Sequence, residues 1–349
     1  MGKRKISPKQ VSRIEARLFD FPGEEKKLLD QADVGPWLRY FDSAITHGVK
    51  KLGDEKEIRE YESLRDAINF TLDSGDWITW KEKGSLVIAP LSVVRAAKRL
   101  FGCASRVLFM SATMGDIPLF LKNLGIADTQ TTVYQAASNF RAENRKIIYR
   151  NLGSMSKQKG QPGLLPMLEA CSEILRERPD ERGIIHCHSR ALQETVFGHL
   201  QREFGGRILT HQRGNDRNEG VTRLRNSRNG VLCAVAMTEG LDLRDEDARF
   251  CILAKVPWTD LTDPYVAERK RRSQDWYQNV TALAIVQGSG RVVRNETDYA
   301  DTFIFDSSFR MLMDKFPEWW RDAVEFRASG PPKKLPAHAV TAEDQTKHG

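Results

Sequence analysis

The chain has 349 residues, 40% of them hydrophobic, a formal net charge of +7 and a pI of about 9.1. That length and apolar share allow two domains with buried cores, and the mild basic excess is compatible with a nucleic-acid partner. The five cysteines stand singly with no CxxC pair, which gives no support to a zinc or iron–sulfur site and fits a reducing cytoplasm; no apolar run approaches the ~18 residues of a membrane span.

In chain order, the first ten residues, MGKRKISPKQ, are basic and lack the apolar centre of a signal peptide. Residues 1 to about 75 are polar and helical in pattern, with Ile14, Leu18, Leu28, Leu29, Trp37, Leu38 and Phe41 at helix-like intervals. Phe21-Pro22-Gly23 and Gly35-Pro36 are expected to break that segment. Gly84 to Pro90 reads as a strand and Ser92 to Phe101 as a helix. Arg106 to Met110 (RVLFM) is short, apolar and continuous, the pattern of a buried parallel strand, and it leads into Ser111-Ala112-Thr113. Small hydroxyl residues at such a strand end lie where open α/β sheets place their ligands, although they also simply start turns.

From Lys146 onward strand and helix alternate. The expected strands are 146–149, 183–187, 207–210, 230–236, 250–255 and 302–305. The expected helices are 164–178, 191–204, 219–226 and 275–294. Alternation of this kind implies a parallel sheet covered on both faces. The Pro- and Lys-containing residues 330–349 carry few large apolar side chains and read as a disordered tail.

Three polar stretches punctuate this pattern. Glu239, Gly240 and Asp242 follow the GVLCAVA strand; two carboxylates around a glycine suit a switch loop, or an ordinary acidic turn. Ser189 and Arg190 follow GIIHC and offer either a phosphate contact or a helix N-cap at Ser189. These loops are expected to converge at the C-terminal edge of one sheet. In Gln287-Gly-Ser-Gly290-Arg291-Val-Val-Arg294, spacings of four and three would put one amide and two guanidiniums on one helix face, with Gly290 allowing close approach. Arginine forks match phosphate oxygens in pairs, so the stretch suits a polyphosphate; the other meaning is a solvated helix end.

The order and spacing of these stretches resemble the C-terminal half of the XPD/DinG family of superfamily 2 DNA helicases, over about residues 80–310. Ser111-Ala112-Thr113 resembles motif III, Ser138-Asn139-Phe140 the opening of the second motor domain, and Ile185-His-Cys-His-Ser189 motif IV. Glu239-Gly-Leu-Asp242, followed by Lys255-Val-Pro257-Trp258 and Asp263-Pro264, resembles motif V and its downstream segment. Gln287-x-x-Gly290-Arg291-x-x-Arg294, with Asp298 after it, resembles motif VI. The family's phosphate-gripping GKT loop and DEAH-type acidic strand have no counterpart, and Asp298-Tyr-Ala300 stands where the family usually has Asp-x-Gly.

The resemblance implies a RecA-like α/β fold: a helical arch-like segment (1–78), the end of a first motor domain (79–135), a RecA-like helicase C-terminal domain (136–329) and the tail. It implies a motor half that hydrolyses ATP and unwinds DNA only when completed by a polypeptide carrying the P-loop. Arg291 and Arg294 would be arginine fingers, with Gln287 positioning phosphate or water. Glu239, Gly240, Asp242, Gly290, Ser111 and Thr113 would bind or sense the nucleotide. Ser189, Arg190 and the run Lys270, Arg271, Arg272 would contact single-stranded or forked DNA, although such a run is often just a solvated helix face. ATP and Mg²⁺ are the implied cofactors, the metal ligands coming from the missing half, with no iron–sulfur cluster. A non-catalytic nucleic-acid-binding or regulatory remnant of such a motor is the alternative.

Overall fold

The computed structural model describes residues 4–6, 24–48, 54–136, 138–211, 216–235, 243–290 and 292–328. They fall into two compact units, one built from 1–136 and 258–284, the other from 137–257 and 285–349.

In the first unit, short strands β1 (Arg4–Ile6) and β2 (Leu28–Leu29) precede helices α1 (Gln31–Gly48) and α2 (Glu55–Asp73). A hairpin follows, β3 (Trp77–Glu82) and β4 (Ser85–Pro90), then α3 (Val94–Phe101) and α4 (Ile117–Leu124). The strands form an antiparallel sheet in the order β1-β4-β3-β2. Residue alternation in the hairpin assigns its two faces. Trp77, Leu86 and Ile88 join Leu38, Phe41, Ile45, Leu64 and Ile68 of the two helices in one core, while Ile78, Trp80, Val87 and Ala89 form another with Leu91. The segment expected to be helical holds α1 and α2, with the two short strands β1 and β2 beside them, and the expected boundary at 78 falls inside β3. The break expected at Gly35-Pro36 does not occur, because Pro36 lies early in α1, where a missing N–H costs one bond.

The second unit runs β5 (Ile147–Gly153), α5 (Leu164–Glu177), β6 (Gly183–His186), α6 (Arg190–Phe204), β7 (Ile208–Thr210), α7 (Asp216–Asn226), β8 (Val231–Ala234) and β9 (Phe250–Leu253). Helices α8 (Pro264–Arg272) and most of α9 (Gln274–Ser289) belong to the first unit, and β10 (Asp301–Asp306), α10 (Glu318–Arg321) and β11 (Val324–Arg327) complete the second. Its seven strands are all parallel, in the order β11-β5-β10-β9-β6-β8-β7. This is the RecA-like α/β sheet expected from the alternating pattern. β6, β8 and β9 are wholly buried four-residue runs, and their apolar side chains pack with those of α5 and α6. Gly183 begins β6 because a Cβ there would lie 2.3 Å from the Phe250 ring.

RVLFM behaves differently. Residues 106–110 form no strand: Leu108 and Met110 are each 81% exposed and Val107 42%. Phe109 alone is tucked in, edge-on to Phe101 of α3 and Phe120 of α4. A continuous apolar run becomes a buried strand only when neighbouring strands take its backbone bonds and helices cover its faces, and among the described residues no strand pairs with it.

Candidate nucleotide and nucleic-acid site

Because the strands of the second unit are parallel, its loops divide cleanly between two edges. Ser189 follows β6 at the C-terminal edge and caps α6, its Oγ accepting the Leu192 N–H at 3.3 Å. The N-cap reading therefore holds, and the hydroxyl hydrogen stays available as a donor. Arg190 donates through Nη1 to Gln193 Oε1 (2.8 Å) and to the His211 carbonyl. Gln193 donates to the Cys233 carbonyl (2.6 Å), and His211 Nε2 accepts the Val235 N–H (3.1 Å). Arg190 therefore braces the exits of β6, β7 and β8 against one another. Glu239, Gly240 and Asp242 follow directly and lie outside the described residues, as does Arg291.

The arginine loop sits at the other edge. Helix α9 stops at Ser289, and Gly290 turns out of it. Gln287 is still helical and Arg294 is not, so the shared helix face expected for Gln287, Arg291 and Arg294 is corrected. The loop 292–300 leads into the start of β10, at the N-terminal edge of the sheet. A different device fixes Arg294. The buried carboxylate of Asp298 accepts the Arg294 N–H at 3.0 Å, and the Arg294 side chain is exposed.

Asp298 is 1% exposed and is held by Arg249, whose Nη1 donates to Oδ1 at 3.0 Å and to the Tyr299 carbonyl at 3.0 Å. The Arg249 guanidinium also donates to Glu246 (2.5 Å) and lies 4.0 Å from the Tyr299 ring centroid. Burial opposes its charge, but Glu246 first and then Tyr299 and Asp298 outweigh that, so its pKa is raised. The hydrogen bond from Arg249 correspondingly lowers the pKa of Glu246. The sequence offers Asp245 only as part of an ordinary acidic turn and does not single out Arg249. Only the position of Asp298, four residues after Arg294, marked this network.

The remaining sequence-derived residues belong to the first unit. Ser111 Oγ accepts the Thr113 N–H at 3.1 Å in an exposed turn. The basic run is a structured helix end. Arg271 and Arg272 both bond Glu268, Arg272 also reaches Asp76 at 2.6 Å, and Lys270 lies 4.9 Å from the Tyr277 ring centroid. The Arg271 side chain remains 70% exposed.

With this geometry in view, comparison with known proteins defines the class. Residues 171–323 match the helicase C-terminal domain family. Over 261 residues the chain is 24% identical to the ATP-dependent DNA helicase YoaA of Escherichia coli (strain K12), covering 71% of this chain and 39% of YoaA. A regulator of telomere elongation helicase 1 homolog of Drosophila melanogaster is 31% identical over 103 residues, 25% of this chain and 10% of that protein. Among solved structures, S. tokodaii Xpd4 superposes with a TM-score of 0.58 at 15% identity, covering 93% of this chain and 72% of that one. An XPD helicase gives 0.53 at 13%, covering 94% and 65%.

The fold is thus that of a superfamily 2 helicase motor. Residues 171–323 are a helicase C-terminal domain, and the chain as a whole is similar to the C-terminal half of XPD/DinG-type helicases, spanning well under half the length of the curated relatives it matches.

Proposed function

We propose that this chain is the second motor half of an ATP-dependent DNA helicase, completed by a polypeptide that carries the P-loop and the acidic strand. The observation that carries the reading is an exposed arginine, Arg294, on a loop anchored by a buried carboxylate, within a helicase C-terminal fold. Such an arginine, with Arg291 beside it in sequence, neutralises charge developing on the transferred phosphoryl group. Gln287, one helical turn before, positions the phosphate or the attacking water. ATP is the substrate. The Mg²⁺ ligands are assigned to the half that carries the P-loop and the acidic strand.

Nucleic acid is assigned to the C-terminal edge, where the Ser189 hydroxyl can donate to a phosphate, and to the end of α8, where Arg271 is exposed beside the half-buried Lys270. Glu239, Gly240 and Asp242, after β8, would couple nucleotide state to the strand. The bare RVLFM run favours a motor half awaiting completion over a self-sufficient regulatory remnant, since exposed apolar side chains in a row mark a surface meant to be covered.

The test is ATP turnover with single-stranded DNA, by the chain alone and with a polypeptide bearing both missing motifs. The first choice is the product of a neighbouring reading frame that has them; otherwise it is the part of YoaA outside the matched region. The chain alone is expected to be silent and the mixture active. Turnover by the chain alone that Arg294→Ala abolishes would overturn the reading.

A further inference from the structure

Resting on that reading of Arg294, we infer that Asp298 is a positioning residue that ties the arginine loop to the exit of the 236–242 stretch, making the two move as one. A single carboxylate oxygen, Asp298 Oδ2, accepts both the Arg294 N–H (3.0 Å) and the Asp245 N–H (3.3 Å). The other, Oδ1, accepts from Arg249 Nη1 (3.0 Å) and from the Tyr299 N–H (2.9 Å). All four donors converge on a carboxylate whose side chain is 0% exposed. Asn295 adds a second link between the same two loops, donating to Asp245 Oδ1 at 3.2 Å.

Two further observations separate this from an ordinary buried ion pair. Asp245 sits in the left-handed region with φ 48°, a conformation that a non-glycine residue keeps only where its surroundings impose it. The shared oxygen is part of what imposes it. The second observation is topological. Val235 follows β8 at the C-terminal edge of the sheet, while Leu243 to Arg249 lead into β9 at the opposite edge. The intervening residues carry the carboxylates assigned to coupling, and the chain that leaves them arrives at Asp298. One oxygen thus holds both the residues that lead from that stretch into β9 and the backbone of Arg294.

The experiment has two arms, both on the full chain. In amide exchange of the chain alone, Asp298→Asn should speed exchange at Arg294 and Asp245 at least about tenfold while β9 and β10 keep their protection. An amide group cannot accept two N–H bonds through the atom that becomes NH₂. Unchanged exchange at both positions, or protection lost evenly across the sheet, overturns the inference. Should Asp298→Asn fail to fold, Asn295→Ala at the exposed rim of the same link is read instead, and no local change at Asp245 then counts against it.

In the completed motor, Asp298→Asn should lower kcat by about 10²-fold, the scale of a small misplacement of a catalytic group, with KM for ATP and DNA affinity unmoved. Combined with Arg294→Ala it should be no worse than Arg294→Ala alone, as for residues acting through one group. A multiplicative double variant, or a silent Asp298→Asn beside a crippled Arg294→Ala, sinks this inference and leaves the arginine reading standing. A silent Arg294→Ala sinks the arginine reading itself.

Discussion

GIIHC and RVLFM are nearly the same sentence written twice, yet they meet opposite fates. Ile184 and Ile185 of the first are 0% exposed in β6, flanked by β8 and β9, while Leu108 and Met110 of the second are 81% exposed. The strand pattern states what a segment needs, which is a partner on each side and cover on each face. Whether the need is met depends on residues elsewhere. In the second unit the chain supplies all seven strands. Around residue 108 the described residues supply only the helices that hold Phe109. The contrast separates a unit whose strands are paired and covered from an apolar run that, among the described residues, is neither, and each measurement below either widens or closes that gap.

The largest effect is expected at the arginine loop of the finished domain. In the completed motor, Arg294→Ala and Arg291→Ala should each cut kcat by about 10³- to 10⁵-fold with little loss of DNA affinity, measured by steady-state turnover at saturating DNA. Arg294→Lys should rescue poorly, since it keeps the charge and loses the planar fork. Turnover preserved in a folded Arg294→Ala complex would move the catalytic arginine elsewhere.

Next comes stability, where the two look-alike runs should part. Ile185→Ala removes a fully buried side chain from the core between the sheet and helices α5 and α6 and should cost about 2–5 kcal/mol in denaturant unfolding. Leu108→Ala should stay within about 0.5 kcal/mol, because an exposed side chain has little to lose. In the completed motor the order should tighten, with Leu108→Asp weakening association. Equal costs at the two sites in the isolated chain would show that RVLFM is already packed in solution.

How much of this was legible in the sequence follows the same division. Six of the seven strands of the parallel sheet are legible to within a few residues, because short apolar runs separated by amphipathic helices leave one solution; β11, the half-exposed edge strand, is not. The N-cap at Ser189 was legible for a local reason, a hydroxyl three residues before the N–H it accepts. The hairpin partner Trp77–Glu82 was not, since both of its faces are buried, with Trp77 in one core and Ile78 and Trp80 in the other, and no apolar–polar alternation shows. Helix α9 was drawn five residues too long. Helical spacing in Gln287, Arg291 and Arg294 outvoted a Gly-Ser-Gly that ends helices. The link from Arg294 and Asp298 to Asp245 and Arg249 was not legible because the two pairs lie about 50 residues apart and are brought together by pairing of the starts of β9 and β10.

DNA binding tests the two units through charge. Single strands should bind weakly and without sequence preference, and affinity should fall roughly tenfold or more between 50 and 200 mM salt if about three phosphates are neutralised, each releasing counterions. Titrations at several salt concentrations give the slope. Arg190→Ala should cost stability more than affinity, since its guanidinium braces three loop exits. Salt-independent binding would remove the basic surface from the mechanism.

The smallest effect belongs to Glu268 in the first unit. The bonds from Arg271 and then Arg272 outweigh burial and bring its pKa down to about 2, against an ordinary glutamate near 4.3. A carboxylate with a depressed folded pKa stabilises the fold fully above its unfolded value and loses that contribution as pH falls through the folded one. The window is therefore between about pH 5 and pH 2. Melting temperature of the wild type should fall across it by more than that of Glu268→Gln, which has no proton to take up. The difference should be modest, because Arg271 and Arg272 keep much of their surface in water, where screening weakens each bond. Identical pH profiles would mean that the basic end of α8 holds its shape without Glu268, leaving Lys270, Arg271 and Arg272 as a solvated face whose only remaining work is at the nucleic acid.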